Sequence, residues 1–89
     1  NPLSYMDIIS VDDDVTDKID LKLKTEILIK AIKNVLNPRE KQIIVLRYGL
    51  GFSKPITQRE VAKKLGISRS YVSRIEKGAI EKLRSEFVK

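Results

Sequence analysis

Hydrophobic residues recur at helical spacing along most of the chain and predict about four helices. The first predicted helix runs from about Val15 to Leu36. Its apolar stripe repeats every four residues and consists of Val15, Ile19, Leu23, Ile27, Ala31 and Val35, widened by Leu28, Ile32 and Leu36. An apolar stripe of this kind normally faces the core of a small helical protein. We therefore expect this helix to pack against the others through the stripe.

A second helix is predicted from Asn37 to about Tyr48. Asn37 is suited to cap its N-terminus, Pro38 suits the first helical position, and Glu40 follows three residues after the cap. Gly49 is expected to end the helix. Its apolar residues are Ile43, Ile44, Val45 and Leu46. They are too many for one narrow stripe, so the helix is expected to be buried on more than one side or to offer an apolar surface to a partner.

Residues 49–56 are predicted to form a loop, because Gly and Pro residues interrupt the helical pattern there. Leu50, Phe52 and Ile56 are available to anchor this loop to the core.

Residues 57–77 have the spacing of a helix-turn-helix. With Gln58 counted as the first position, Ala62 falls fifth, where the two helices of such a motif approach closely. Gly66 falls ninth, where a left-handed backbone ends the first helix and is least costly for glycine. The residues expected to fill the wedge between the helices are Val61, Leu65, Ile67, Val72 and Ile75.

Both helices of this motif have capping signals. Thr57 followed by Glu60 is a capping box, and Ser68 can cap the second helix. Any amphipathic helix pair could share the apolar spacing alone. The small residue, the glycine and the two caps together favour a helix-turn-helix over a purely structural helix pair.

The second helix of the motif is expected to continue nearly to the C-terminus. The apolar rhythm runs on without a break through Val72, Ile75, Ala79, Ile80, Leu83 and Phe87. Gly78 lies inside this helix at a cost of about 1 kcal/mol relative to Ala, and no proline ends it. The predicted fold is thus a small all-α domain over residues 15–89, preceded by an acidic, extended or weakly ordered linker over residues 1–14.

Composition excludes several classes of function. The chain has no Cys and no His, which excludes disulfides, thiolate or imidazole metal ligands and the commonest general base. Only scattered carboxylates, Lys, Ser and Tyr remain for catalysis, so we expect neither an enzyme nor a cofactor. Asp12-Asp13-Asp14 supplies too few ligands for a dedicated metal site, and solvation or helix capping is the preferred explanation.

No apolar run is long enough to span a membrane, and no signal peptide is recognisable. We therefore expect a cytoplasmic protein. The chain begins Asn1-Pro2 without an initiating Met, which suggests a fragment of a longer protein.

Charge is distributed unevenly along the chain. The first 17 residues contain five aspartates and no Lys or Arg, whereas the remainder holds all 18 basic residues against seven acidic ones. A basic body suits a polyanion such as nucleic acid, although a merely soluble basic surface would have the same charge.

The exposed face of the second motif helix carries the candidate chemistry. Arg69 and Arg74 are expected to read base edges, and Ser70 and Ser73 to allow close approach of the helix to the DNA. The residues placed for phosphate contacts are Thr57, Gln58, Arg59 and Lys77, with Tyr71 either against the sugar-phosphate backbone or at the core or its rim. A solvated helix face is the competing explanation for each arginine alone, but their shared arc within the motif favours DNA contact.

The residues also resemble a known family. Three stretches are similar to region 4 of bacterial RNA polymerase sigma factors of the sigma-70 class. They are Leu36 to Leu50, which includes Arg47-Tyr48-Gly49-Leu50, and residues 57–62 and 68–77. The resemblance covers residues 36–87, and the most similar group is the sporulation sigma factors of endospore-forming bacteria.

The resemblance implies recognition of the minus-35 promoter element through Arg69, Ser70, Ser73 and Arg74. In primary sigma factors the second of these positions is glutamate and the third is arginine, so Ser70 and Ser73 indicate a different promoter set. The resemblance further implies association with the bacterial nucleoid.

The resemblance also implies partners other than DNA. The beta-subunit flap of the polymerase core would bind a pocket to which Ile43, Leu46, Leu50 and Ile80 contribute, and an anti-sigma factor is a further candidate partner. The acidic segment from Asp7 to Asp17 would thread the RNA-exit path in place of RNA.

Two alternatives remain open on the sequence. A response-regulator-type helix-turn-helix regulator shares a similar helix set but would bind a palindromic site as a dimer. A pure protein-interaction module would bind its partner equally well after Arg69 and Arg74 are replaced by alanine.

Overall fold

The computed structural model describes residue 8, residues 18–51 and residues 53–87, and within them it contains four helices and no strand. The helices are α1 (Lys18–Asn34), α2 (Pro38–Tyr48), α3 (Gln58–Leu65) and α4 (Arg69–Ser85). The predicted all-α fold is confirmed. The predicted start of the first helix near Val15 lies outside the described residues.

The capping signals form as predicted. The side chain of Asn37 accepts a hydrogen bond of 2.8 Å from the N–H of Glu40, whose carboxylate accepts one of 2.9 Å from the N–H of Asn37. Thr57 and Glu60 form the same reciprocal pair at the start of α3. Ser68 caps α4 by accepting a hydrogen bond of 3.1 Å from the N–H of Tyr71. Local sequence therefore sets where three of the four helices begin.

Helix α2 lies between two hydrophobic clusters, as its excess of apolar residues predicts. Ile44 is buried in the first cluster and Ile43 in the second, although they are neighbours in sequence. Successive residues on a helix point about 100° apart, so two clusters on different sides of α2 require both positions to be apolar. The helix thus joins the helix-turn-helix to the rest of the molecule.

The first cluster joins α1 and α2 to the C-terminal half of α4. Its buried members are Ile8, Leu28, Ala31, Ile32, Leu36, Ile44, Leu50, Ala79 and Leu83, with Tyr48, Ile80 and Phe87 packed against them. The apolar stripe predicted for α1 is only partly correct, because Leu23 is 54% exposed and Val35 is 36% exposed. A strict four-residue repeat drifts around the helix by about 40° at each step, so the buried face is centred on Leu28, Ala31 and Ile32 instead.

Ile8 is the one described residue of the predicted linker. It is 1% exposed and belongs to the first cluster. The rest of residues 1–14, and with it the rest of that prediction, lies outside the described residues.

The second cluster is the core of the helix-turn-helix. Ile43, Val61, Ala62 and Val72 are buried in it, with Leu46, Ile56, Leu65, Ile67 and Ile75 packed around them. All five residues predicted for the wedge belong to this cluster, and Ala62 is at the close approach. Gly66 ends α3 with a φ of 68° in the left-handed region, as predicted.

The loop after α2 is anchored at both ends. Leu50 is buried in the first cluster, and the N–H of Ile56 donates to the carbonyl of Leu46 at 3.1 Å. Phe52, the third predicted anchor, lies outside the described residues. Helix α4 then runs through Gly78 without interruption, as predicted. No helix in the described part of the chain is long and apolar enough to cross a membrane.

Candidate nucleic-acid interface

Helix α4 has a buried face and a polar, exposed face. Val72, Glu76, Ala79 and Leu83 are buried at helical spacing. The predicted base-reading residues lie outside this buried face: Arg69, Ser70 and Arg74 are exposed, and Ser73 is half-buried. Because packing on the core fixes the rotation of α4, these side chains are held on one outward arc.

Most residues predicted for phosphate contacts are open to solvent. Thr57, Arg59 and Lys77 are exposed. Tyr71 is 44% exposed, so it is not a core residue. Hydrogen bonds from the backbone N–H and the side chain of Thr57 to the carboxylate of Glu60 hold the pKa of Glu60 below its ordinary value.

Glu76 is the site residue that the sequence prediction missed. It lies on the buried face of α4, is 6% exposed and accepts three hydrogen bonds. The donors are Arg47 Nε at 2.8 Å, Tyr48 Oη at 3.1 Å and Gln58 Nε2 at 2.9 Å. A buried carboxylate requires such partners, because removing its charge from water without them is costly. A charged residue between Val72 and Ala79 on an inward face was the available signal.

Arg47 connects this carboxylate to the loop. Its guanidinium forms an ion pair with Glu76 and donates a second hydrogen bond, 2.7 Å long, to the carbonyl oxygen of Ile56. It also lies 5.6 Å from the centroid of the Tyr48 ring, within the range of a cation–π interaction. The end of α2, the end of the loop and the middle of α4 are thereby joined by one polar group.

Gln58 extends the same network to the exposed arc. Its amide nitrogen donates to Glu76, and its amide oxygen accepts a hydrogen bond of 3.4 Å from Arg69 Nη1. Gln58, which the sequence placed among the phosphate contacts, is half-buried and uses both ends of its amide within the protein. Beside it lies an open cleft of about 300 Å³ lined by Gln58, Ser73, Glu76, Lys77, Ile80, Glu81 and Arg84.

The four residues predicted for the flap pocket do not come together. Ile43 and Leu46 belong to the second cluster, whereas Leu50 and Ile80 belong to the first. Ile43 is 0% exposed and Leu50 is 6% exposed, so neither can line an open surface. The sequence located apolar residues but could not assign them to core or surface.

An open apolar groove of about 770 Å³ lies instead between α2 and α3. It is lined by Pro38, Lys41, Gln42, Val45, Leu46, Lys64 and Leu65. Leu46 is its only member among the four predicted residues. Val45, which is 36% exposed, is the large hydrophobic residue that this groove leaves in contact with solvent.

These features define a class of protein. The motif has two capped helices, Gly66 ends the first of them, and the first part of the second is basic and exposed. These are the features of a helix-turn-helix DNA-binding domain. Residues 34–85 match the family described as sigma-70, region 4, and the chain belongs to that family. Region 4 is the domain of RNA polymerase sigma factors that binds the minus-35 promoter element. This membership favours the sigma-factor interpretation over the response-regulator alternative.

Similar proteins are named sigma factors, which are not enzymes. The chain is 53% identical over 90 residues to the RNA polymerase sigma-28 factor of Bacillus thuringiensis subsp. kurstaki, covering 100% of this chain and 38% of that protein. It is 50% identical over 88 residues to the RNA polymerase sigma-K factor of Bacillus subtilis, covering 98% of this chain and 30% of that protein. The RNA polymerase sigma-E factor of Clostridium acetobutylicum is 46% identical over 90 residues, with 100% and 38% covered.

The resemblance to sporulation-type sigma factors is therefore confirmed. The chain spans only 30% to 38% of the length of these three relatives. No solved structure shows a significant match to the chain.

Proposed function

We propose that this chain is the minus-35-reading part of a sporulation-type sigma factor and that it directs RNA polymerase to a particular set of promoters. The observation that carries this function is the outward arc at the start of α4, where Arg69, Ser70 and Arg74 are exposed on a helix whose rotation the core fixes. A helix of this kind fits the major groove of B-form DNA, where base edges can be distinguished.

The roles of the individual residues follow from their chemistry. Arg69 and Arg74 each carry a guanidinium that can bond to the O6 and N7 atoms of guanine. Ser70 and Ser73 are short, so the helix backbone can approach the bases, and their hydroxyls can donate or accept. Thr57, Arg59, Tyr71 and Lys77 are exposed and would contact the DNA backbone and set the register of α4.

The central prediction concerns Arg74. In polymerase assembled with the sigma factor that includes this chain, Arg74→Ala should abolish or strongly weaken footprint protection of the minus-35 region, because a well-placed arginine–guanine contact contributes about 1–3 kcal/mol of discrimination. The measurement is footprinting of the holoenzyme on one promoter with and without the substitution.

Arg84→Ala is the matched control for charge, because Arg84 is also an exposed arginine of α4 but lies near its C-terminal end. It should leave the protection pattern intact. Unchanged protection with Arg74→Ala would rule out the role given to that residue.

We further propose that the beta-subunit flap of the polymerase core binds the groove between α2 and α3. Support comes from the family, whose members act with polymerase, and from the solvent-exposed apolar lining around Val45, Leu46 and Leu65. This location replaces the scattered set predicted from sequence. The chain is then expected to act in the cytoplasm, on the nucleoid, together with polymerase.

The groove can be tested with Val45→Glu, which places a charge among apolar groups that a partner would have to desolvate. Retention of the chain on an immobilised flap should fall by about tenfold or more, as expected for a penalty above 1.4 kcal/mol. Leu23→Glu is the matched control, because Leu23 is an exposed apolar residue of α1 outside the groove. Equal losses for the two variants would argue against a specific site in the groove.

A further inference from the structure

Gln58 is bound at both ends of its side-chain amide. Glu76 is a carboxylate and therefore only accepts hydrogen bonds, so the amide nitrogen of Gln58 must face it, at 2.9 Å. The amide oxygen is then turned to the opposite side, where Arg69 Nη1 donates to it at 3.4 Å. The charge of Glu76 thus fixes which end of the Gln58 amide faces Arg69.

Arg47 holds Oε1, the Glu76 oxygen that Gln58 also contacts. Arg47 Nε donates to Oε1 at 2.8 Å, and Tyr48 Oη donates to Oε2 at 3.1 Å. Arg47 is held in turn by the carbonyl of Ile56, at 2.7 Å. Glu76 is therefore a fixed acceptor, whereas Arg69 lies in solvent and its long side chain loses much rotational freedom when it becomes ordered.

We infer that Gln58 is a positioning residue for Arg69, oriented by the buried carboxylate of Glu76, and that it contributes to base selectivity and not to phosphate binding. The inference rests on the proposed function, in which Arg69 reads a base. In free protein the 3.4 Å contact already favours one placement of the guanidinium. On DNA, exclusion of water from the interface strengthens the same hydrogen bond. The Arg69 side chain therefore loses less conformational entropy when it binds its base.

The decisive variant is Gln58→Met, which keeps the length of the side chain but has no amide. The assay is selection by the holoenzyme from a duplex library randomised across the minus-35 region, with sequencing of the bound fraction. The preference at the base pair read by Arg69 should fall by about tenfold, or about 1.4 kcal/mol. Preferences at the other positions and the salt dependence of binding should remain as in the unsubstituted protein.

Glu76→Gln tests the orientation directly. The amide introduced by Glu76→Gln can donate to the Gln58 oxygen, so the Gln58 amide can rotate by half a turn. Its nitrogen would then face the guanidinium of Arg69, and both groups are donors. It should therefore reduce selectivity at the same base pair. Because this variant also removes the negative partner of Arg47, its folding is checked by thermal unfolding, and Gln58→Met carries the test if it does not fold.

Tyr48→Phe is the matched control. It removes one hydrogen bond to Glu76 but leaves the contacts of Gln58 with Glu76 and Arg69 in place. We expect it to lower the unfolding temperature without changing base preference. If Tyr48→Phe altered selectivity as Gln58→Met does, the effect would be one of general stability and the positioning role would be refuted.

Arg69→Ala separates the two proposals. If it changes the preference at one base pair and Gln58→Met does not, the positioning role is wrong while promoter reading stands. If Arg69→Ala changes no preference at all, the assignment of Arg69 in the proposed function is wrong. A uniform weakening of binding to all sequences with Gln58→Met, with every base preference unchanged, would identify Gln58 as a phosphate contact and would also overturn the inference.

Discussion

Gly49 and Gly66 have nearly the same backbone conformation but different surroundings. Their φ angles are 62° and 68°, and each ends a helix. A Cβ atom on Gly49 would lie 2.6 Å from the backbone nitrogen of Pro55 and 2.7 Å from the carbonyl oxygen of Ser53, whereas one on Gly66 would meet nothing within 4 Å. Gly49 is therefore required both by its conformation and by the loop that crosses it, and Gly66 by its conformation alone.

We expect alanine substitution to have unequal effects at these two positions. Gly66→Ala should lower the free energy of unfolding by about 1–2 kcal/mol, the penalty of a left-handed backbone for a residue with a Cβ atom. Gly49→Ala should cost at least about 3 kcal/mol, because displacement of the loop adds to that penalty. Urea unfolding followed by circular dichroism provides the measurement. Equal losses would mean that the loop moves away from position 49 without cost.

Among the elements, α2 and α4 are held together at both ends by charged pairs. At one end Arg47 pairs with Glu76, and at the other Lys82 Nζ lies 2.9 Å from Glu40 Oε2. Glu40 also belongs to the capping box of α2, so one carboxylate both starts its helix and contacts α4. Burial by itself raises the pKa of Glu40, but the hydrogen bonds from Lys82 and the backbone of Asn37, with the charge of Lys82, outweigh it and hold the pKa below 4.5.

This pKa makes the association of α2 and α4 sensitive to acid. The folded state favours ionised Glu40, so its contribution to stability is complete above the ordinary pKa of 4.5 and is lost as the pH falls through the lower pKa of the folded state. Glu40→Gln keeps a residue that can complete the capping box but has no charge to protonate. We expect its free energy of unfolding to fall less steeply than that of the unsubstituted chain as the pH drops below 4.5.

Urea unfolding at a series of pH values checks this prediction. Lys82→Met should flatten the acid dependence in the same direction, because Glu40 then loses the cation that lowers its pKa. The effect should shrink in high salt, since the Lys82 side chain is 46% exposed. Parallel pH curves for all three proteins would mean that the Glu40–Lys82 pair contributes nothing in acid.

In the whole molecule, the basic charge that follows residue 17 is the main source of non-specific attraction to DNA. All 18 Lys and Arg residues lie in that part of the chain, which contains seven acidic residues. One helix offers few base contacts, so binding by the chain alone should be weak and should depend mainly on phosphates. Promoter selectivity should become appreciable only with core polymerase, which adds contacts of its own.

Salt titration of the chain on a promoter duplex should show this dependence. The logarithm of the binding constant should fall linearly with the logarithm of salt concentration, by about 0.9 for each phosphate contact. Arg59→Ala should reduce the slope by about one and weaken binding to all sequences alike. A slope that Arg59→Ala leaves unchanged would remove this residue from the set of phosphate contacts.

Much of the fold was predictable because its signals are local. Asn37, Thr57 and Ser68 cap helices through groups within three residues, and Gly49 and Gly66 end helices through their own backbone angles. The prediction for α1 failed in part because a helical stripe shows which residues can be buried, not which of them meets another helix. Leu23 is as apolar as Leu28, but only Leu28 lies against the core.

The candidate site was predictable to the same extent. The exposure of Ser70 and Arg74 follows from the helical spacing of the buried Val72 and Ala79, whereas Arg69 is exposed at the first position of α4. The partners of Glu76 could not be predicted, since Arg47 is 29 positions away in sequence and Gln58 is 18 away. Hydrogen bonds over such separations depend on how the helices pack.

By itself, then, the sequence determined the helices, their caps, the helix-turn-helix and the exposed polar arc at the start of α4, because these depend on residues a few positions apart. Only the tertiary structure decided which apolar residues are core and which line the groove between α2 and α3. It also brought the carboxylate of Glu76 within hydrogen-bond distance of Gln58, whose amide oxygen accepts a hydrogen bond from Arg69. Those features depend on contacts between helices, and no local pattern of residues specifies them.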